Sequence, residues 1–210
     1  MNYYIPIQEN GAHDKPKSQP RHTPRILRRR FALTTTGYKY LKMGISVGSE
    51  PFVEMILGDN KGNQLILPYI TWQIFIERRM DIERLVRPND CKSSSKLTIH
   101  DLVVEIVKIC DGNIVKLTLY NTCIYMKPST VQFLLNLEHC VESVYNQLYQ
   151  NTYSVSNKYK KFITILRQNY VTNKYDAIKM LNENYDKTCI IECELVIYAS
   201  DNIVYDALHN

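Results

Sequence analysis

The residues with most to offer chemically are cations and aromatic rings. The segment RHTPRILRRR gathers Arg21, Arg25, Arg28, Arg29 and Arg30 within ten positions. A clustered, one-signed run of this kind suits phosphate binding, nuclear import or both; a purely solubilising tail has the same composition. Further on, Tyr38, Tyr40 and Lys42 fall on one face of a strand whose other face carries Leu41, Met43 and Ile45, because side chains alternate along extended chain. Lys116, Thr118 and Tyr120 oppose Val115, Leu117 and Leu119 in the same way. Cations that track phosphates beside rings that stack on bases are what single-stranded nucleic acid requires, each stacked base contributing ~1–3 kcal/mol. Strand propensity alone would also place tyrosines here, since the chain has 16 of them and tyrosine favours strands.

Little else looks reactive. The five histidines, His13, His22, His100, His139 and His209, show no metal-ligand or triad spacing. The six cysteines form no CxxC pair, so reduced thiols, mostly buried as small apolar groups, are expected and a zinc site is not. Asp and Glu are scattered along helices and turns, and His100 and Asp101, taken as neighbours in a strand, would face opposite ways. No enzyme activity, cofactor or small-molecule substrate is expected.

The elements that must position these groups follow from the pattern. The net charge is +5, and residues 1–30 hold seven of the 26 basic residues but only two of the 21 acidic ones, which leaves a formally neutral body of 19 each. Four prolines and little apolar periodicity mark residues 1–30 as a disordered basic arm. Strands follow: YKYLKMGISVG, PFVEMIL, and QLIL after the hairpin turn GDNKGN, whose Gly and Asn tolerate positive φ. ITWQIFIERRMDIERLV then loses the alternation and reads as a helix, with Trp72 and Phe75 in its core and a second apolar side awaiting another partner. Apolar runs stay well short of the ~20 residues of a membrane helix, and no signal peptide is apparent. A soluble protein, nuclear or cytoplasmic, is expected.

The order then repeats. LTIHDLVVEIVKI, IVKLTLY and CIYM supply strands, and PSTVQFLLNLEHCVESVYNQLY a helix with Pro128 at its start. Thr71, Gln73 and Glu83 superimpose on Thr130, Gln132 and Glu142 at a constant offset of 59, and PFVEMIL on NIVKLTL at 62. The predicted organisation is a disordered basic arm (1–30), a first sheet–helix repeat (31–88), a linker (89–95), a second repeat (96–152) and a C-terminal helical segment with a strand at CIIECELVIYA (153–210).

A unit of strands, a Gly-containing hairpin and QLILPYITWQIFIERR resembles the positive cofactor 4 family of transcriptional coactivators, whose C-terminal domain binds single-stranded DNA, and a Whirly-type fold is similar. Leu67 and Trp72 match the family's strand–turn–helix end, Glu54 its acidic strand position, and GDNKGN its hairpin. The resemblance implies an α+β fold of two tandem antiparallel four-stranded sheet plus helix units, joined as an internal pseudo-dimer or further oligomer, with an α/β C-terminal extension. It also implies a basic sheet groove, but Met55 and Ile56 stand where the family carries cations. The expectation is therefore a non-enzymatic protein that binds single-stranded DNA or RNA in transcription or replication, through Arg21, Arg25, Arg28, Arg29 and Arg30 of the arm with Tyr38, Tyr40, Lys42, Lys116 and Tyr120 on the sheets. The alternative is a structural or protein-interaction oligomerisation module that has lost the groove.

Overall fold

A computed structural model describes residues 23–87, 96–109 and 112–209. The first sheet is an antiparallel meander of β1 (Arg25–Ala32), β2 (Lys39–Ser46), β3 (Phe52–Asp59) and β4 (Gln64–Ile66), hydrogen-bonded in that order. As the alternation requires, Leu41, Met43 and Ile45 turn one face inward and are at most 2% exposed. The β3–β4 turn is closed by Asp59, whose carboxylate accepts from the backbone N–H groups of Lys61 and Asn63 and from Lys39 Nζ at 2.9 Å. Gly62, at φ +91, supplies the left-handed residue the turn needs.

Of the expected disordered arm, the part from Arg25 onward is a strand, and residues 1–22 lie outside the described residues. Arg25 to Arg30 lie within β1 and pair with β2 from Arg25↔Ser46 to Arg30↔Lys42, while Arg21 lies outside the described residues. Charged side chains are normal on an edge strand, where they blunt association with other chains, so a run of like charge and Pro24 hid strand periodicity. A bulge between Ile26 and Arg29, with Leu27 at φ +52, shifts the register.

Pro68 leads into α1 (Tyr69–Glu77), which stops at Arg78 (φ −87, ψ 17) and resumes as α2 (Arg79–Val86). Trp72 and Phe75 are buried as expected, whereas Ile70 is 52% exposed. The second unit repeats this plan with β5 (Lys96–Ile99), β6 (Leu102–Ile109), β7 (Gly112–Leu119), β8 (Thr122–Met126), α3 (Pro128–Asn136) and α4 (Glu138–Gln168). Its helix breaks at the equivalent place, Leu137 (φ −81, ψ 0). At the offset of 59, Thr71, Trp72, Phe75 and Ile82 become Thr130, Val131, Leu134 and Val141, all buried. The strand offset of 62 needs correction. Met55 pairs with Leu67 and Val115 with Met126 immediately before each helix, so the offset in β3 and β7 is 60 and the second hairpin is one residue shorter. His100 and Asp101 form the β5–β6 turn, not a strand, and their side chains meet at 3.1 Å.

The units share one core. α4 packs on β2 and β3 of the first sheet, α2 on β5 and β6 of the second, and β4 lies beside β8. Each helix thus covers the other unit's sheet, an exchange that draws Leu57, Leu65, Phe75, Leu102, Leu117 and Leu134 together.

Beyond the repeats, α4 continues to Gln168, α5 covers Lys174–Glu183 and α6 covers Ile190–His209. The predicted strand CIIECELVIYA is part of α6. Its β-branched residues favoured extended chain locally, but Ile191, Leu195, Ala199 and Ile203 recur every four positions and are buried against α4 and β1. Four described cysteines are unbridged, and contrary to expectation none is buried: Cys140 is exposed and Cys123, Cys189 and Cys193 are half-buried.

Candidate nucleic-acid interface

Strand parity assembles the site on the face of the first sheet that points away from the core. Across β1, β2, β3 and β4, Arg30 stands opposite Lys42, Lys42 opposite Ile56, and Ile56 opposite Ile66. The next rung holds Ala32, Tyr40, Gly58 and Gln64. Tyr40 is the centre of this face. The Arg30 guanidinium lies 4.2 Å and the Lys42 ammonium 4.3 Å from its ring centroid, and its hydroxyl accepts from Gln64 Nε2 at 3.3 Å. Gly58 makes room for it, since a Cβ there would fall 2.7 Å from the ring. Held this way, Tyr40 is 3% exposed. The ring that the sequence offered for base stacking is instead the support on which two cations rest.

The bulge turns Arg28 onto the same face, its chain beside Gly44 and its guanidinium 4.7 Å from the Tyr198 ring of α6. At the bulge the Leu27 N–H donates to Glu194 of α6 at 2.5 Å, so α6 secures the free edge of β1. Arg25 closes the row by pairing with the buried carboxylate of Glu54. Arg25, Arg28 and Lys42 line a hollow of about 120 Å³ with Glu54, Ile56 and Gln64. Arg29 has the opposite parity, across from Met43, and is not part of the face. Met55 is turned into the core and Ile56 lies on this face, whose cations come from β1 and from Lys42 of β2. The alternation of Ile26 with the arginines and Phe31 was the signal available for this, obscured by the bulge.

The second sheet differs. Glu105 takes the place of Lys42, opposite Lys116 and Lys96, and pairs with Lys116 at 2.8 Å. The hydrogen bond from Lys116 holds the Glu105 carboxyl below its ordinary range, and the same contact raises the Lys116 ammonium. Lys116 is thus neutralised. Tyr120 is not on the strand face but in the β7–β8 turn at φ +51, donating to Asp101 at 3.0 Å.

Tyr38 also departs from its predicted place beside Tyr40. It precedes β2 and lines a separate cleft of about 940 Å³ between the β1–β2 turn and the second unit, together with Leu33, Ile109, Tyr125, Met126 and Phe133. Tyr125, from β8, and Phe133, from α3, are 42% and 45% exposed. Nothing in the sequence joined these residues, which are up to a hundred positions apart.

Among the described residues no group of three or more His, Cys, Asp or Glu side chains is placed to hold a metal ion, and no helix is long and apolar enough to cross a membrane. No family model, curated protein or solved structure matches the chain.

Proposed function

We propose that this protein is a non-enzymatic nucleic-acid-binding protein that prefers single strands, DNA or RNA, and acts in transcription or replication in the nucleus or cytoplasm. The observation that carries the reading is the convergence of Arg25, Arg28, Arg30 and Lys42 on one open sheet face around Tyr40, with Glu54 as the acid among them. Such a face offers phosphates a row of cations but no helix or ribbon that projects into a major groove. The likeness to the positive cofactor 4 and Whirly-type proteins agrees with it in the order of four strands, hairpin and helix. The exchange of α2 and α4 between the sheets is the contact pattern of a two-fold dimer, and the tandem units are read as an internal pseudo-dimer.

Fluorescence anisotropy with single- and double-stranded oligonucleotides over a series of salt concentrations tests the proposal. Each phosphate contact on a single strand contributes about 0.7 to the slope of log K against log salt. Arg28→Ala combined with Lys42→Ala should therefore lower the slope by about 1.4. A slope unchanged by the double substitution, or tighter binding to duplex than to single strands, overturns the reading. The rival, a protein-interaction module, draws on the second sheet, where Lys116 and Glu105 cancel; it predicts no oligonucleotide binding at low salt.

A further inference from the structure

The basic face has a deficit that its own residues do not make good. It presents cations, yet its ring, Tyr40, is covered by them and 3% exposed. Binding through this face alone would be phosphate binding without stacking. The exposed rings lie next to it. Arg30 reaches over the end of the sheet to donate to the Gly37 carbonyl at 2.9 Å and to Asn60 Oδ1 at 3.2 Å, and Ala32, on the same face, already lines the cleft that holds Tyr38, Tyr125 and Phe133. β1 therefore runs from the basic hollow at Arg25 to the mouth of an aromatic cleft at Ala32, about 23 Å away at roughly 3.3 Å per residue.

Resting on the nucleic-acid reading above, we propose that this cleft takes the bases of the strand whose phosphates lie on the β1–β2 face. The two kinds of contact are divided between the repeats: the first unit supplies cations, and the second supplies most of the stacking rings through Tyr125 and Phe133. Three features favour bases as the occupant. Ala32, two residues beyond Arg30 on the same face of β1, lines the cleft, so a single strand held by Arg28, Arg30 and Lys42 and continued along β1 reaches its mouth. The rings of Tyr125 and Phe133 are open to solvent at 42% and 45%, as a stacking platform must be and a core residue is not. The volume, about 940 Å³, lies at the upper end of the ~300–1,000 Å³ of small-molecule sites and exceeds what one base needs. Lys127 and Ser129 at the rim supply donors for base edges or a following phosphate. The proposal gives the duplication a role, since the cleft exists only where two units meet.

The test uses the full chain and two probes of equal length, an oligothymidylate and an abasic deoxyribose-phosphate strand. Tyr125→Ala and Phe133→Ala remove exposed rings, and circular dichroism with thermal unfolding establishes that each variant is folded. Each should weaken oligothymidylate binding about tenfold, the scale of one lost stacking contact, without altering the salt slope or the affinity for the abasic strand. Tyr125→Phe, which keeps the ring, should bind as the parent does. If Tyr125→Ala and Phe133→Ala bind oligothymidylate normally while Arg28→Ala with Lys42→Ala still lowers the slope, the cleft proposal falls and the basic-face reading stands. Equal losses on the two probes also overturn it. If the parent chain binds neither probe, both readings fall, and an apolar peptide or small molecule becomes the occupant to seek.

Discussion

Asp59 shows how much one side chain can control at the β3–β4 turn. Burial alone would raise its pKa, but hydrogen bonds from Asn63 and Lys39 outweigh this and bring it from 3.8 to about 2. The folded state thus holds the charged form more tightly than the unfolded chain does. The resulting stability is complete above the unfolded value near 4 and is lost as pH falls from there toward 2. A shift of this size corresponds to about 2 kcal/mol. Asp59→Asn should remove that much at neutral pH and flatten the acid limb of a urea-denaturation series between pH 5 and 2. An acid limb identical in parent and variant would falsify the assignment. The turn was legible in the sequence because GDNKGN carries its own local chemistry. The neighbouring role of Tyr40 was not, since it depends on Arg30, Gly58 and Gln64 from three other strands.

Between elements, the joint that most directly supports the basic face is α6 against α4 and β1. Glu192, 2% exposed, accepts from Lys158 at 2.8 Å, Lys161 at 3.1 Å and the Asp186 N–H at 2.8 Å. Burial opposes its ionisation, yet these donors prevail and its pKa is lowered, so its contribution is present above the ordinary Glu range and lost as pH drops below it. Two and six residues further along α6 from this anchor, Glu194 and Tyr198 hold the β1 bulge and Arg28. Glu192→Ala should destabilise the protein by about 1–3 kcal/mol, the scale of hydrogen bonds lost to a buried charged acceptor. It should also speed amide hydrogen exchange at Leu27 relative to β3. Unchanged exchange there would mean that β1 is held by β2 alone. The helix itself was misread because CIIECELVIYA alternates as a strand does over a short window, and only its burial against α4 and β1 selects the helical period.

At the scale of the molecule, the two four-stranded sheets are of like construction and unlike charge. The position of Lys42 in the first is that of Glu105 in the second, where it neutralises Lys116. One basic face per chain predicts one short oligonucleotide per chain at saturation, as native mass spectrometry or calorimetric titration would count. Two equivalent sites per chain would show that the second sheet binds as well. The repeat was visible in the sequence through the spacing of Thr71 and Thr130 and their flanking apolar residues, and the structure extends it to the helix breaks at Arg78 and Leu137.

What the sequence determined by itself is therefore the set of features governed by neighbours along the chain: the alternation of β2, the GDNKGN hairpin, the helix start at Pro128, and the 59-residue offset between the helices of the two units. Tertiary structure decided the rest. It drew Arg25 to Arg30 into an edge strand, made α6 a helix, covered Tyr40 with cations, and brought Tyr38 to Tyr125 and Phe133. The physical reason is that local patterns set backbone preference and turn chemistry, whereas register across a sheet and burial against a distant helix depend on partners that no short window contains.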